Sequence, residues 1–302
     1  MDVDDLWAIA DCYCLDLPAK WEHFVITDAL PRAMRVFKEA GILATFFLVG
    51  RDIEDPECAD IFHRVISGGH YIGNHSYSHS LAFRLLTREA IQSEVQKCDT
   101  LCREVLGTAP VGFRAPGYGW SNQLIQALTE TGYDHDSSLM PSFVGPALRY
   151  MDARLTRQAQ QEKLHGQNGS VEEQRKPGHT RKSQYPLMSD GLRKLRPFKI
   201  GSVTEHPVAV SPVLRLPMQA GVCMSLGQVY FRMQEMLASH AYSGPITFLF
   251  HAADFADFSQ VPVPFFKQSR FFSSPVEKRM ELARLFLEQW QNSIGISDKP
   301  WA

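Results

Sequence analysis

His75 and His79 stand four residues apart in the stretch Gly73-Asn74-His75-Ser76-Tyr77-Ser78-His79. On a helical turn that spacing projects both imidazoles from one face, close enough to bind a single metal ion. A strand end carrying a glycine runs straight into the pair, which favours a placed site over two unrelated polar residues. Asp2-Val3-Asp4-Asp5 is the second chemical cluster. Aspartate is a poor strand residue, so three in four positions need a reason. In a strand Asp2 and Asp4 share one face and Asp5 opposes them. The third cluster is the loop Gly112 to Trp120, where Arg114 can hold a carboxylate bidentately and the glycines leave backbone N–H groups accessible. Asp134-His135-Asp136-Ser137-Ser138 and Phe248-Leu249-Phe250-His251 complete the set. Each cluster alone also has a plain reading: a solvated acidic terminus, satisfied histidines, a surface arginine in a turn, a hydrogen-bonded core histidine.

The elements that must position these residues alternate in type along the first 140 residues. Leu30 to Ala40 has helical apolar spacing and is stopped by Gly41. Ile42 to Val49 is a continuous apolar run, read as a buried parallel strand. Pro56 to Ser67 reads as a helix ended by Gly68-Gly69, and Tyr71-Ile72 as a short strand. A long helix covers Thr87 to Leu106, Val111 to Phe113 returns to a strand, Ser121 caps a helix running to Thr131, and Gly132-Tyr133 opens the next strand. Repeated β-then-α units imply parallel strands with crossover helices, and the polar clusters fall where loops leave the C-terminal ends of those strands. Residues 151–197 change character: polar, rich in Gln, Lys, Arg, Gly and Ser, and without a period. They are expected to form a mobile or disordered insertion within one domain spanning 1–302. Regular patterning resumes with Val203 to Val210 and Val213 to Leu216, a helix over Leu226 to His240, a strand over Ile246 to Phe250 and a last helix over Val276 to Trp290.

The chain's bulk properties exclude several classes. With 302 residues it can bury a sizeable core, and 44% hydrophobic with 21% charged residues is an ordinary globular balance. A net charge of −2 gives no footprint for nucleic acid or for a polybasic membrane anchor. No apolar run is long enough for a membrane span, so no integral membrane segment is expected. The opening residues lack a secretory signal, which makes the expected location cytoplasmic as written, or extracytoplasmic if a signal or anchor lies upstream. Cys12, Cys14, Cys58, Cys98, Cys102 and Cys223 have neither metal-knuckle nor disulfide-scaffold spacing and are expected to be free thiols, with Cys98 and Cys102 half-buried helical neighbours.

Taken together and in order, the clusters resemble the five-motif pattern of the polysaccharide deacetylase family (the NodB-homology domain, carbohydrate esterase family 4). Asp-Val-Asp-Asp resembles its acidic opening motif, in the Asp-Val-Asp form of a variant branch. His75-Ser76-Tyr77-Ser78-His79 matches H-[ST]-x-x-H, and Arg114-Ala115-Pro116 matches R-x-P. Asp136-Ser137-Ser138 resembles the fourth motif, Leu249-Phe250-His251 the closing one, and Ala44-Thr45-Phe46-Phe47 the family's ATFF strand. The likeness is close over residues 1–140 and loose over 200–290.

The resemblance implies an α/β fold, a distorted and incomplete (β/α) barrel. It implies a divalent metal, Zn2+ before Co2+ or Ni2+, held by one aspartate with His75 and His79 and leaving a position open for water. It implies an aspartate base, His251 as the acid that protonates the leaving amine, Arg114 orienting the base, the Gly117 N–H facing the oxyanion, and Asp136 holding His251. Two registers fit the opening motif: Asp2 as base with Asp4 as ligand, or Asp4 as base with Asp5 as ligand. Strand alternation favours the first. The implied activity is hydrolysis of an N-acyl amide, N-acetyl first, on an amino sugar or glycan. Alternatives are a deformylase or amidase acting on a lipid-linked sugar or a non-sugar amide, and a catalytically silent carbohydrate-binding domain.

Overall fold

A computed structural model describes residues 1–147, 150, 154, 186–242, 244–268, 272–293, 297 and 299–301. The first sheet runs β1 (Asp2–Val3), β2 (Thr45–Leu48), β3 (Tyr71–Asn74), all parallel, with Asp2 opposite Phe47 and Leu48 opposite Asn74. Between these strands lie α1 (Leu6–Tyr13), α2 (Leu30–Ala40), the single turn α3 (Gly50–Ile53) and α4 (Pro56–Ser67). Then come α5 (Arg88–Glu104), α6 (Asn122–Glu130), β4 (His135–Asp136), β5 (Phe198–Ile200) and β6 (Val203–Glu205). The remaining helices are α7 (Ala220–Leu226), α8 (Gln228–Ala241), the short α9 (Pro264–Gln268) and α10 (Val276–Ser293).

Single residue pairs carry the sheet onward. Phe113 bridges Asn74 on one side and Asp136 on the other, β4 pairs with β6 in parallel, Val208 bridges Thr247, and His251 bridges Asp2 back at β1. The result is the α/β, distorted and incomplete barrel expected. Its ladders lie within β1-β2-β3 and within β4-β6-β5, where β5 is antiparallel to β6, and single bridges join the rest.

Local chemistry explains the helix limits. Thr87 accepts the Ala90 amide and Ser121 the Leu124 amide, each satisfying a donor that the first helical turn leaves open. Asp55 does the same for α4, taking the Glu57 and Cys58 amides. Gly41 ends α2 in the left-handed region at φ 67°, where a side chain would be strained. The main core collects Val3, Leu6, Val25, Leu30, Phe46, Leu48, Phe62, Phe250, Phe255 and Phe266 between the sheet and α2, α4 and α10.

Several expectations change. Asp5 does not end a strand; it caps α1, a helix whose signal, an Asp before Leu6-Trp7-Ala8-Ile9-Ala10, was present in the sequence. Val111 to Phe113 and Ile246 to Phe250 are not continuous strands. The second hands its carbonyls to three different segments: Thr247 to Ala209, Leu249 to Ala220 and Phe250 to Asp2. No single neighbour completes a ladder with it. Val213 to Leu216 is a tight turn, with the Arg215 amide on the Ser211 carbonyl, Arg215 at φ 54°, and Val213 and Leu214 exposed. The helix expected from Leu226 to His240 is found as Gln228–Ala241, and Gly227, at φ 90°, separates it from α7, which ends at Leu226. Cys98 and Cys102 are fully buried, not half-buried. The insertion expected over 151–197 lies outside the described residues except at 154 and 186–197.

Candidate active site

The end of β3 sets the histidine loop. A Cβ on Gly73 would stand 2.4 Å from the Phe47 ring, so glycine lets β3 lie against that ring. Asn74 then pins the turn: its Oδ1 accepts the Ser76 amide at 2.9 Å, and its amide group donates to the Val95 carbonyl and the Tyr133 hydroxyl, both at 2.9 Å. Glu94, on α5, accepts the Tyr77 amide at 3.0 Å, the Ser78 amide at 2.8 Å and the Ser78 hydroxyl at 2.8 Å. Ser76 Oγ accepts the His79 amide at 3.1 Å. The loop is not a helical turn; Ser76 and His79 sit in left-handed backbone at φ 65° and 50°. The two imidazoles still meet, with ring centroids 5.3 Å apart.

Asp4 completes this cluster. Its Oδ1 lies 3.3 Å from His75 Nε2 and 3.2 Å from His79 Nε2. That oxygen is buried and accepts no hydrogen bond among the described residues. His75 Nδ1 faces the Arg114 carbonyl at 2.7 Å, so its proton goes there and Nε2 keeps its lone pair. His79 packs edge-on to Trp7, centroids 6.4 Å apart, and Arg51 covers the Trp7 ring. Three donors arranged tetrahedrally around a zinc-sized ion lie about 3.3 Å apart. The donor set, its spacing and the orphaned oxygen fit a divalent cation. Burial alone would raise the Asp4 carboxyl, but the imidazoles of His79 and His75 hold it well below the usual carboxylate range.

Asp2 lies beside the cluster on the same strand face. Arg114 Nη1 donates to its Oδ1 at 2.6 Å, while Nε and Nη2 go to the Ser137 carbonyl and hydroxyl, both at 2.9 Å. The guanidinium lies over the Phe47 ring at 4.2 Å and is 1% exposed, so it has one position. Its contact with Asp2 is end-on through one nitrogen, not the bidentate grip that the residue type allows. Burial pushes the Asp2 carboxyl up; Arg114, His75 and His251 outweigh it and leave the carboxyl lowered. His251 Nε2 stands 3.9 Å from Asp2 Oδ2. Gly117 follows Arg114-Ala115-Pro116 in a tight turn at φ 59°, a conformation that glycine adopts without strain.

The structure separates two expected partners. Asp5 does not reach the histidines of the cluster: its Oδ1 takes the amides of Leu6, Val25 and Ile26, and its Oδ2 meets His23 Nδ1 at 2.8 Å. Asp136 does not reach His251. It accepts the Ser138 hydroxyl at 2.5 Å and faces the Glu205 carboxyl, burial raising both carboxyls. The carboxylates that His251 meets are Asp2 and Asp254. Asp136 serves the site at one remove, because Ser138 also accepts the Ala115 amide at 2.8 Å and its neighbour Ser137 holds Arg114. Sequence reading missed Asn74 as a pin, Glu94, Glu205 and Asp254. Only Asn74 lay inside a cluster already singled out; the others are single polar residues within helical or apolar stretches.

Comparison with known proteins places this arrangement. The family described as polysaccharide deacetylase matches residues 16–135. A peptidoglycan deacetylase of Helicobacter pylori is 30% identical over 111 residues, 37% of this chain and 37% of that protein. A peptidoglycan-N-acetylglucosamine deacetylase of Bacillus cereus is 32% identical over 89 residues, 30% of this chain and 31% of its own length. The chain thus spans about a third of the curated relatives it matches. A Mycobacterium smegmatis crystal structure assigned to the polysaccharide deacetylases superposes over 91% of this chain and 74% of its own, with TM-score 0.54 and 15% identity, which shows a shared fold.

Proposed function

We propose that this chain, a polysaccharide deacetylase family member over residues 16–135, is a metal-dependent hydrolase that removes an N-acyl group, acetyl first, from an amino sugar or glycan. The observation that carries the reading is the Asp4 oxygen, buried, without a hydrogen-bond donor among the described residues and 3.2–3.3 Å from two imidazole nitrogens, with the Asp2–Arg114 pair beside it. The named relatives, a peptidoglycan deacetylase and a peptidoglycan-N-acetylglucosamine deacetylase, support the N-acetyl and glycan choices.

In this reading Asp4, His75 and His79 hold the ion. Zn2+, with Co2+ or Ni2+ as substitutes, when bound there supplies an acidified water and polarises the amide carbonyl. Asp2 takes the proton of the attacking water. Arg114 keeps that carboxylate ionised and aimed, since its own three contacts fix the guanidinium. The Gly117 N–H donates to the oxygen that becomes negative. His251 delivers a proton to the departing amine, which then leaves with the sugar while the carboxylic acid is released. Asp2 and His251, the residue that accepts a proton and the one that gives one back, stand 3.9 Å apart.

Elemental analysis of the purified chain, joined to release of acetate or formate from a panel of N-acylated sugars, tests the reading. Chelation is expected to abolish activity. Asp2→Asn is expected to keep the metal and lose at least about a hundredfold in kcat. Full activity in Asp2→Asn would remove Asp2 as the base. A metal-free chain unaffected by His75→Ala would point to a silent carbohydrate-binding domain, and formate release to a deformylase.

A further inference from the structure

Asp254 is a buried carboxylate that the proposed reaction leaves without a task. It is 1% exposed and lies in the short turn Ala252–Phe255 that follows His251. Its Oδ2 accepts the His251 amide at 2.9 Å, and its own amide donates to the His251 carbonyl at 3.0 Å. The two residues therefore close one turn upon each other. Arg279, reaching in from α10 and also 1% exposed, holds that turn from behind. Its Nη1 donates to the carbonyls of Ala253 at 2.8 Å and Asp254 at 3.0 Å, and its Nη2 to the carbonyl of Ala256. Neutral carbonyls do not cancel a buried guanidinium charge, and Asp254 is the foremost carboxylate opposing it.

We infer that Asp254, backed by Arg279, is the positioning residue of His251: it fixes the backbone from which the imidazole projects and sets a carboxylate beside that turn. This rests on the reading of His251 as the acid. Asp136 instead accepts the Ser138 hydroxyl and faces Glu205, and no contact of it with His251 is found among the described residues. Among the described residues, Asp2, on β1, and Asp254 face His251; Asp254 in turn faces Arg279, Asp2, the Met1 amine and Tyr118. Burial pushes the Asp254 carboxyl up, and His251 and Arg279 draw it back.

The test uses the full chain. Asp254→Asn keeps the shape, and its amide oxygen can still accept the His251 amide, so only the charge is removed. Nitrogen NMR of the histidine side chains is followed against pH without substrate. In Asp254→Asn the His251 ring is expected to titrate about one pH unit lower, and in Asp136→Asn to stay in place. With substrate, kcat is expected to fall about tenfold with KM nearly unchanged, and its alkaline limb to move to lower pH. Asp254→Glu, which restores charge but not shape, should titrate nearer to the parent than Asp254→Asn does. An unmoved His251 titration in Asp254→Asn, an equal shift in Asp136→Asn, or a Glu variant indistinguishable from the Asn variant would overturn the inference. The NMR arm needs no turnover, so absent hydrolysis would count against the proposed function and leave the coupling of Asp254 to His251 readable.

Discussion

Asp4 and Asp5 are adjacent in the chain and have opposite fates. Asp4 shows its Oδ1 to His75 and His79 and receives no donor among the described residues. Asp5 is fully buried, and its oxygens already hold three backbone amides and His23. Each nonetheless stands within ligand distance of two further donors, Asp4 of His75 and His79 and Asp5 of His23 and Cys58. Nearness is therefore not what distinguishes a site from a brace. Unused lone pairs are. Asp5 is saturated, and burial pushes the Cys58 thiol far up, so that neighbourhood resists becoming a thiolate-bearing site.

The largest expected effect breaks the comparison from the Asp4 side. Asp4→Ala should lower metal affinity at least about a hundredfold, read as loss of bound ion after dialysis, while the melting temperature of the metal-free protein changes little. If Asp4→Ala keeps its ion, the donors are elsewhere. Asp5→Ala should do the reverse. It strips α1 of its cap and leaves the Val25 and Ile26 amides open, a cost of about 2–3 kcal/mol in chemical unfolding, with metal content at the parent level.

The smallest effect is a pH slope. The hydrogen bond to Asp5 raises His23 to about 9, above its ordinary value near 6.5. A raised folded-state value means stability that is full below the unfolded value and lost as pH climbs through 9. The melting temperature should therefore decline between about pH 6.5 and 9, and His23→Gln should flatten that segment of the curve. Because His23 is partly exposed, solvent and salt weaken the slope. An unchanged slope in His23→Gln would detach His23 from the brace.

How much of this was legible beforehand varies with how local each cause is. Helix caps are local, and Thr87 and Ser121 take the positions that their sequence predicts. The pairing of Asp2 with Asp4 on one strand face follows from alternation, and the structure brings both to the same cluster. The Asp136 partner was not legible: whether it meets His251 or Glu205 depends on how β6 lies beside β4, which no spacing reports. The far strands were over-read for a related reason. An apolar run such as Ile246 to Phe250 satisfies a strand pattern whether its hydrogen bonds go to one neighbour or to three. The two imidazoles meet as their spacing predicts, but on two left-handed residues in place of the helical turn.

Those two residues have a consequence for how an ion would arrive. Ser76 and His79 occupy a backbone region that costs a non-glycine residue about 1–2 kcal/mol, and hydrogen bonds from the protein itself, to Asn74, Glu94 and Ser76 Oγ, hold the loop in that form. Uptake should then be a docking event with little rearrangement, its speed set by how quickly the ion sheds water. Removal of the ion should leave a protein that is idle but not unfolded, ready to be recharged.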